Sequence, residues 1–192
     1  MLRLLARLFI KDRQNTADPK VRERYGTLAS VVGVALNLLL ALGKGLVGFA
    51  TGSIAATADA LNNLSDAGSS IITLVGFRVS GKRGDGEHPF GHGRAEYISG
   101  LIVALIIMLM GFDLAKESII KIFKPEPVEF TNATALVLAA SILVKIYMAA
   151  YNRSIGKKIQ SVSMRATAMD SLSDAVATSA VLASALIGRF FG

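Results

Sequence analysis

Long runs of apolar residues alternate with short polar segments along this chain, and five of the runs are long enough to cross a bilayer. A membrane-spanning helix needs about 20 residues. The pattern predicts an all-α fold, a polytopic transmembrane helix bundle at residues 27–192, behind a basic cytoplasmic N-terminal segment at 1–26. The five predicted spans are residues 27–50, 53–77, 95–119, 132–151 and 162–187.

Polar or proline-containing segments separate these spans. A tight turn at 51–53 joins the first two, and a polar loop at 78–94 joins the second to the third. Two prolines mark 124–127 as the connection between the third and the fourth, because proline does not continue a helix. Gly156, Lys157 and Lys158 mark the connection between the fourth and the fifth.

The composition supports a membrane protein and excludes some kinds of site. The chain is 52% hydrophobic, with a mean hydropathy of +0.51, which is more apolar than an ordinary soluble domain. The chain has no cysteine, so disulfides and thiolate ligands are excluded, and a bound metal would be a harder or borderline ion. The net charge of +7 is a topology signal, and no nucleic-acid partner is expected.

The distribution of basic residues predicts the orientation of the chain. Most lysines and arginines outside the spans lie in the N-terminal segment, in the loop at 78–94 and at 153–165. The opposite side has Lys116, Lys121, Lys124 and Arg189. The positive-inside rule therefore predicts a multi-pass protein of the cell membrane with a cytoplasmic N-terminus. The first eleven residues are either an interfacial amphipathic turn or a frayed basic tail.

Two pairs of polar residues lie in the middle of predicted spans. Asn62 and Asp66 belong to the second span, and Asp170 and Asp174 belong to the fifth. The spacing of four places each pair on one face of its helix. At ~1.5 Å per residue, both pairs lie about 15–20 Å from the start of their spans and therefore near the bilayer midplane. A carboxylate at that depth costs roughly 3 kcal/mol on insertion scales, so these residues are predicted to be functional.

Four oxygen-bearing side chains at one depth can bind a single divalent cation, which predicts the membrane part of a metal-ion transporter. A structural role is the alternative, in which the carboxylates pair with Lys44 or Lys145 and the polar groups join the helices. These lysines would neutralise at most two of the three aspartates, and Lys145 can extend towards the cytoplasmic interface. Asp59 lies further out and is either an entrance or exit carboxylate or a helix-end polar group.

The loop between the second and third spans holds both histidines of the chain. His88 and His92 are four residues apart, but Pro89 and Gly91 argue against a regular helix. Two imidazoles together with Asp85 suit a borderline divalent ion such as Zn²⁺. A solvated loop with incidental histidines explains the pattern equally well.

Taken together, these residues resemble the cation diffusion facilitator family. The resemblance lies in ADALNNLSD of the second span, HPFGHGRAE at the start of the third and the aspartate pair of the fifth. It implies a metal/proton antiporter that exports divalent cations as a homodimer, is not an enzyme and uses no cofactor besides the transported metal. The residues it implies are Asn62, Asp66, Asp170 and Asp174 for the transport site, and Asp85, His88 and His92 for a cytoplasmic loop site.

The chain departs from the family pattern in two respects. Family members usually have six spans followed by a soluble cytoplasmic domain, whereas five spans and no soluble C-terminal domain are expected here, which indicates a fragment or a natural truncation. Zinc exporters of the family often carry histidine in the membrane site, whereas this set is one asparagine and three aspartates. Oxygen ligands favour Mn²⁺, as in the family's manganese exporters, and Zn²⁺, Fe²⁺, Co²⁺ and Cd²⁺ remain candidates.

Three other functions are compatible with acidic residues inside a membrane. An intramembrane aspartyl protease uses two aspartates on different spans, but its Gly-x-Gly-Asp pattern is absent from this sequence. A passive channel fits less well, because conduction requires weak or multiple sites rather than four converging ligands. A structural membrane subunit is the third alternative, and it would bind no metal.

Overall fold

Five helices make up the regular structure of the described part of the chain. The computed structural model describes residues 6, 10, 14–16, 18–51, 54–84, 86, 88–123 and 131–191, and contains no strand in these ranges. The prediction of an all-helical bundle is confirmed. The helices are α1 (Pro19–Thr51), α2 (Ile54–Ser80), α3 (Ala95–Phe123), α4 (Asn132–Lys158) and α5 (Val162–Phe191).

Four of these helices, α1, α3, α4 and α5, contain a stretch that is long and apolar enough to cross a membrane. α2 has 27 residues, about 40 Å at ~1.5 Å per residue, so it also has the required length. Its hydropathy is lowered by Asp59, Asn62, Asn63 and Asp66. These polar residues belong to one of the two helices that carry the predicted transport site.

The bundle exposes large apolar side chains and buries many polar ones, which is unlike a soluble domain. Phe49 is 90% exposed and Leu46 is 70% exposed, whereas Asn63 and Ser141 are fully buried. Large apolar side chains exposed in this way are favourable when they face lipid hydrocarbon instead of water. Buried hydroxyl and amide groups join helices that the hydrophobic effect does not hold together inside a bilayer.

The helices pack as two close pairs, α1 with α2 and α4 with α5, and α3 packs against α2 and α5. Small residues allow the closest approaches. Gly76 of α2 faces the side chain of Ser99 on α3, and Gly100 of α3 faces the backbone of Ser163 on α5. The Ser163 hydroxyl donates a hydrogen bond to Thr73 Oγ1 at 3.3 Å, which links α5 to α2.

Substitution at Gly100 tests this packing. A Cβ atom there would lie 3.3 Å from the Ser163 Cα, so Gly100→Ala is expected to lower the free energy of unfolding by about 1–2 kcal/mol. Gly111→Ala on the same helix is the control, because nothing lies within 4 Å of its Cβ position. It should leave stability unchanged or raise it by up to ~1 kcal/mol. Equal unfolding midpoints in detergent for the two variants would contradict a close α3–α5 contact.

A cluster of buried apolar side chains closes one end of the bundle, where α1 and α5 begin and α2 and α4 end. It includes Tyr25, Phe77, Met148 and Met164. One cation–π contact belongs to this end: the Lys158 amine lies 4.2 Å from the centre of the Tyr25 ring. The carboxylate cluster described below lies further along the helices, beyond this apolar end.

The connection between α4 and α5 lies later than the sequence predicted. Gly156, Lys157 and Lys158 form the last turn of α4, because lysines are favourable at the negative end of a helix. Gln160 has a φ of 53°, and the Ser161 N–H donates to the Gly156 carbonyl at 2.9 Å. This arrangement is a Schellman motif, which ends the helix. The predicted connections at 52–53 and 124–127 lie outside the described residues.

Candidate metal centre

α2 and α5 bring three carboxylates together in the interior of the bundle. One oxygen from each of Asp66, Asp170 and Asp174 lies within 4.8 Å of the other two. Asp66 and Asp170 are buried, and Asp174 is partly buried. The structure thus brings together three of the four residues predicted for the transport site, and they come from the two spans that the sequence singled out.

The antiparallel packing of α2 and α5 explains this convergence. Thr73 lies two turns after Asp66, and Ser163, its hydrogen-bond partner, lies two turns before Asp170. The two helices therefore keep one register from the hydroxyl contact to the carboxylates. One turn further from the hydroxyl contact, the same register places Asn62 of α2 level with Asp174 of α5. Asn62 is partly buried and belongs to the same helix as Asp66, which makes it the fourth candidate ligand.

α4 adds a lysine to this site. The Lys145 amine lies 2.6 Å from Asp66 Oδ2 and 2.6 Å from Asp174 Oδ2, and Lys145 is only 2% exposed. Of the two positions open to Lys145, extension towards the interface and pairing with carboxylates, the structure shows the pairing. An ammonium group buried in the bundle needs ionic partners, and the two carboxylates supply them. The second Asp66 oxygen, Oδ1, is buried and has no hydrogen-bond partner among the described residues.

The other intramembrane lysine forms an ion pair with a different carboxylate. The Lys44 amine lies 2.7 Å from Asp59 Oδ2, and Lys44 is 2% exposed. The Asn63 side-chain amide donates to the Asp59 backbone carbonyl at 2.8 Å. Asp59 is thus one half of an ion pair between α1 and α2, and Lys145 is the lysine that contacts the carboxylate cluster.

A small cavity with several polar groups in its wall lies one turn from the cluster, closer to the end of α2. The Oγ atoms of Ser30 and Ser70 and the side-chain nitrogen of Asn152 are buried there, and none has a hydrogen-bond partner among the described residues. Such a cavity has room for roughly one water molecule, which could form hydrogen bonds with these groups. No pattern in the sequence indicates this cavity, because its walls come from four helices. Its polar lining comprises Ser30, Ser70, Thr73, Tyr151, Asn152 and Thr167.

The two histidines lie side by side in the loop between α2 and α3. The ring centres of His88 and His92 are 4.6 Å apart. The Gly91 N–H donates to the His88 carbonyl at 2.9 Å, and Gly91 has a φ of 79°, which favours glycine. A reverse turn therefore brings the imidazoles together. Asp85, the third residue predicted for this site, lies outside the described residues.

Comparison with known proteins identifies a family for nearly the whole chain. Residues 30–192 match the family model of the cation efflux transmembrane domain. Manganese efflux system protein MneS of Bacillus subtilis is 35% identical over 178 residues, covering 88% of this chain and 58% of MneS. Manganese efflux system protein MneP of the same organism is 32% identical over 166 residues, covering 86% of this chain and 56% of MneP.

A third relative is magnetosome protein MamB of Magnetospirillum gryphiswaldense. It is 30% identical over 146 residues, covering 76% of this chain and 49% of MamB. The chain thus spans between about half and 58% of the length of these three relatives.

Proposed function

The chain belongs to the cation diffusion facilitator family, and from that membership we propose that it is the membrane part of a divalent metal cation efflux transporter. It is a multi-pass membrane protein. The observation that carries the proposal is the convergence of Asp66, Asp170 and Asp174 within 4.8 Å. Three carboxylates gathered in a desolvated interior repel one another strongly, and a divalent cation relieves that repulsion.

The proposed ligands are these three aspartates and Asn62, which the helix register places level with Asp174. All four offer oxygen, the ligand atom that Mn²⁺ prefers, whereas zinc sites commonly include imidazole nitrogen. Two relatives, MneS and MneP, are named as manganese efflux proteins, and we propose Mn²⁺ as the favoured substrate here also. Zn²⁺, Fe²⁺ and Co²⁺ are the next candidates, because later metals bind most ligand sets more tightly than manganese.

The cavity supports a direction of entry. Its lining residues lie about one helix turn from the cluster, on the side where α2 ends and α5 begins, which the basic residues predict to be cytoplasmic. Its unpaired hydroxyl and amide groups can replace part of the water shell of an entering cation. We therefore propose that, when the apolar end of the bundle opens, metal passes from the cytoplasm through this cavity to the cluster and is then released on the opposite side.

Exchange of metal for protons at the aspartates is the proposed source of energy, and a homodimer is the proposed assembly. The test is uptake of Mn²⁺, Zn²⁺, Fe²⁺ and Co²⁺ into vesicles that contain the purified chain, with and without a pH gradient. Metal uptake that responds to the gradient supports antiport, whereas uptake indifferent to it supports a passive pathway. Vesicles that take up none of the four metals would contradict transport by this chain.

Changing both His88 and His92 to alanine is expected to lower the transport rate or apparent metal affinity several-fold without abolishing export. The histidines lie in a loop away from the carboxylate cluster, so metal capture there would assist transport without replacing the buried ligands. The measurement is the initial rate of Mn²⁺ uptake over a range of concentrations. A complete loss, equal to that of an Asp66 variant, would make the loop an essential part of the pathway.

A further inference from the structure

The Lys145 amine lies where a transported cation would be expected to bind. It is 2.6 Å from one oxygen of Asp66 and 2.6 Å from one oxygen of Asp174, and both residues belong to the carboxylate cluster. A divalent metal that bridged the same two oxygens would lie about 2–2.6 Å from each of them. The metal and the ammonium group would then overlap, so the two cations cannot use these oxygens at the same time.

The ammonium group also cannot serve as a metal ligand. Protonated lysine has three N–H donors and no lone pair. Its long aliphatic stem has several rotatable bonds, so the amine can turn away from the carboxylates towards the interface once a metal supplies their counter-charge. The unpartnered Asp66 Oδ1 offers an arriving metal its first contact while Lys145 still occupies Oδ2.

We propose that Lys145 is a tethered counter-cation, which fills the transport site when metal is absent and withdraws when metal binds. The inference rests on the proposed function, because it assumes that the cluster is the transport site. In the empty protein the amine separates Asp66 from Asp174 and reduces their repulsion, so α2, α4 and α5 stay together. Metal must compete with this internal cation, and Lys145 thereby lowers the affinity of the site and favours release.

Two substitutions at Lys145 should change metal affinity in opposite directions. Lys145→Met removes the competitor while keeping the apolar stem, and the Kd for Mn²⁺ should fall about tenfold. Lys145→Arg keeps the charge and can bridge two carboxylates with its planar fork, so the Kd should rise by a similar factor of about ten. Because the competitor acts on charge, the Kd for Zn²⁺ should shift by the same factor in each variant.

The measurement is isothermal titration of the purified 192-residue chain in lipid nanodiscs with MnCl₂ and with ZnCl₂. Lys44→Met is the matched control, because Lys44 is equally buried but pairs with Asp59. Its Kd should equal that of the unaltered chain. If Lys145→Met fails to fold, Lys145→Gln takes its place, because its neutral amide can still donate hydrogen bonds to the carboxylates, and its Kd should also fall.

The outcomes separate this inference from the proposed function. If the unaltered chain binds neither metal, the proposed transport site is wrong and the counter-cation role falls with it. If the unaltered chain binds metal and the Lys145 variants bind it equally well, only the counter-cation role is wrong. Weaker binding in both variants would show that Lys145 merely supports the site, which also overturns the inference, as does unchanged or tighter binding in Lys145→Arg.

Discussion

Replacing Asp66 by alanine is expected to abolish metal transport and to leave the protein folded. The substitution removes one of three converging carboxylates, so the remaining ligands should bind metal roughly a hundredfold more weakly, or about 3 kcal/mol. It also removes a costly buried charge, and the Lys145 amine keeps Asp174 as its partner at 2.6 Å. The measurement is Mn²⁺ uptake into vesicles, together with the elution volume and unfolding midpoint of the purified variant.

Asp174→Ala should have the same effect, because Asp66 would then hold the lysine while the ligand set is again incomplete. Asp113→Asn is the control, since Asp113 lies on α3 and is exposed. It should retain normal uptake. Unchanged Mn²⁺ uptake in a folded Asp66→Ala variant would falsify the proposed site, whereas a loss in all three variants would indicate a general effect of removing acidic residues.

The helices could be predicted from the sequence because a bilayer leaves few alternatives. Backbone groups inside hydrocarbon must bond within one segment, so a long apolar run forms a helix whatever its neighbours are. The end of α4 was less predictable. A glycine and two lysines resemble a connection in the sequence, yet lysines also suit the last turn of a helix, and the observed stop depends on the left-handed conformation of Gln160.

The candidate site was predictable in part. The spacing of Asp170 and Asp174 and the matching depth of Asp66 follow from helix geometry alone, and the structure brings these three residues together. The position of Lys145 did not follow from the sequence. A lysine in a span can extend to the interface or turn inwards, and here the contacts with Asp66 on α2 and Asp174 on α5 determine which occurs.

The cavity near the cluster was even less predictable from the sequence than the position of Lys145. Ser30 belongs to α1, Ser70 to α2, Asn152 to α4 and Thr167 to α5. Each alone is an ordinary polar residue of a membrane helix, where serine and threonine usually bond to the preceding turn. Thr167 does so, donating to the Ser163 carbonyl at 3.2 Å. Only the packing of four helices places the groups around one space, so no pattern along the chain reveals it.

Replacing Asn62 by histidine is expected to shift transport from Mn²⁺ towards Zn²⁺, by about tenfold in the ratio of their rates. Asn62 lies one turn before Asp66 on α2, level with Asp174 by the α2–α5 register. An imidazole there would complete a set of one nitrogen and three carboxylate groups, which suits the tetrahedral geometry of zinc. Manganese prefers oxygen ligands and a higher coordination number, so it should lose transport rate in the same variant.

Asn62→Ala separates the chemistry of the ligand from its mere presence. Alanine removes the amide oxygen without supplying nitrogen, so transport of both metals should fall while their ratio stays close to that of the unaltered chain. The measurement is the initial rate of Mn²⁺ and Zn²⁺ uptake into the same vesicle preparations. An unaltered ratio in Asn62→His would show that Asn62 does not set the choice of metal. The three aspartates would then have to determine that choice, because they are the remaining members of the proposed ligand set.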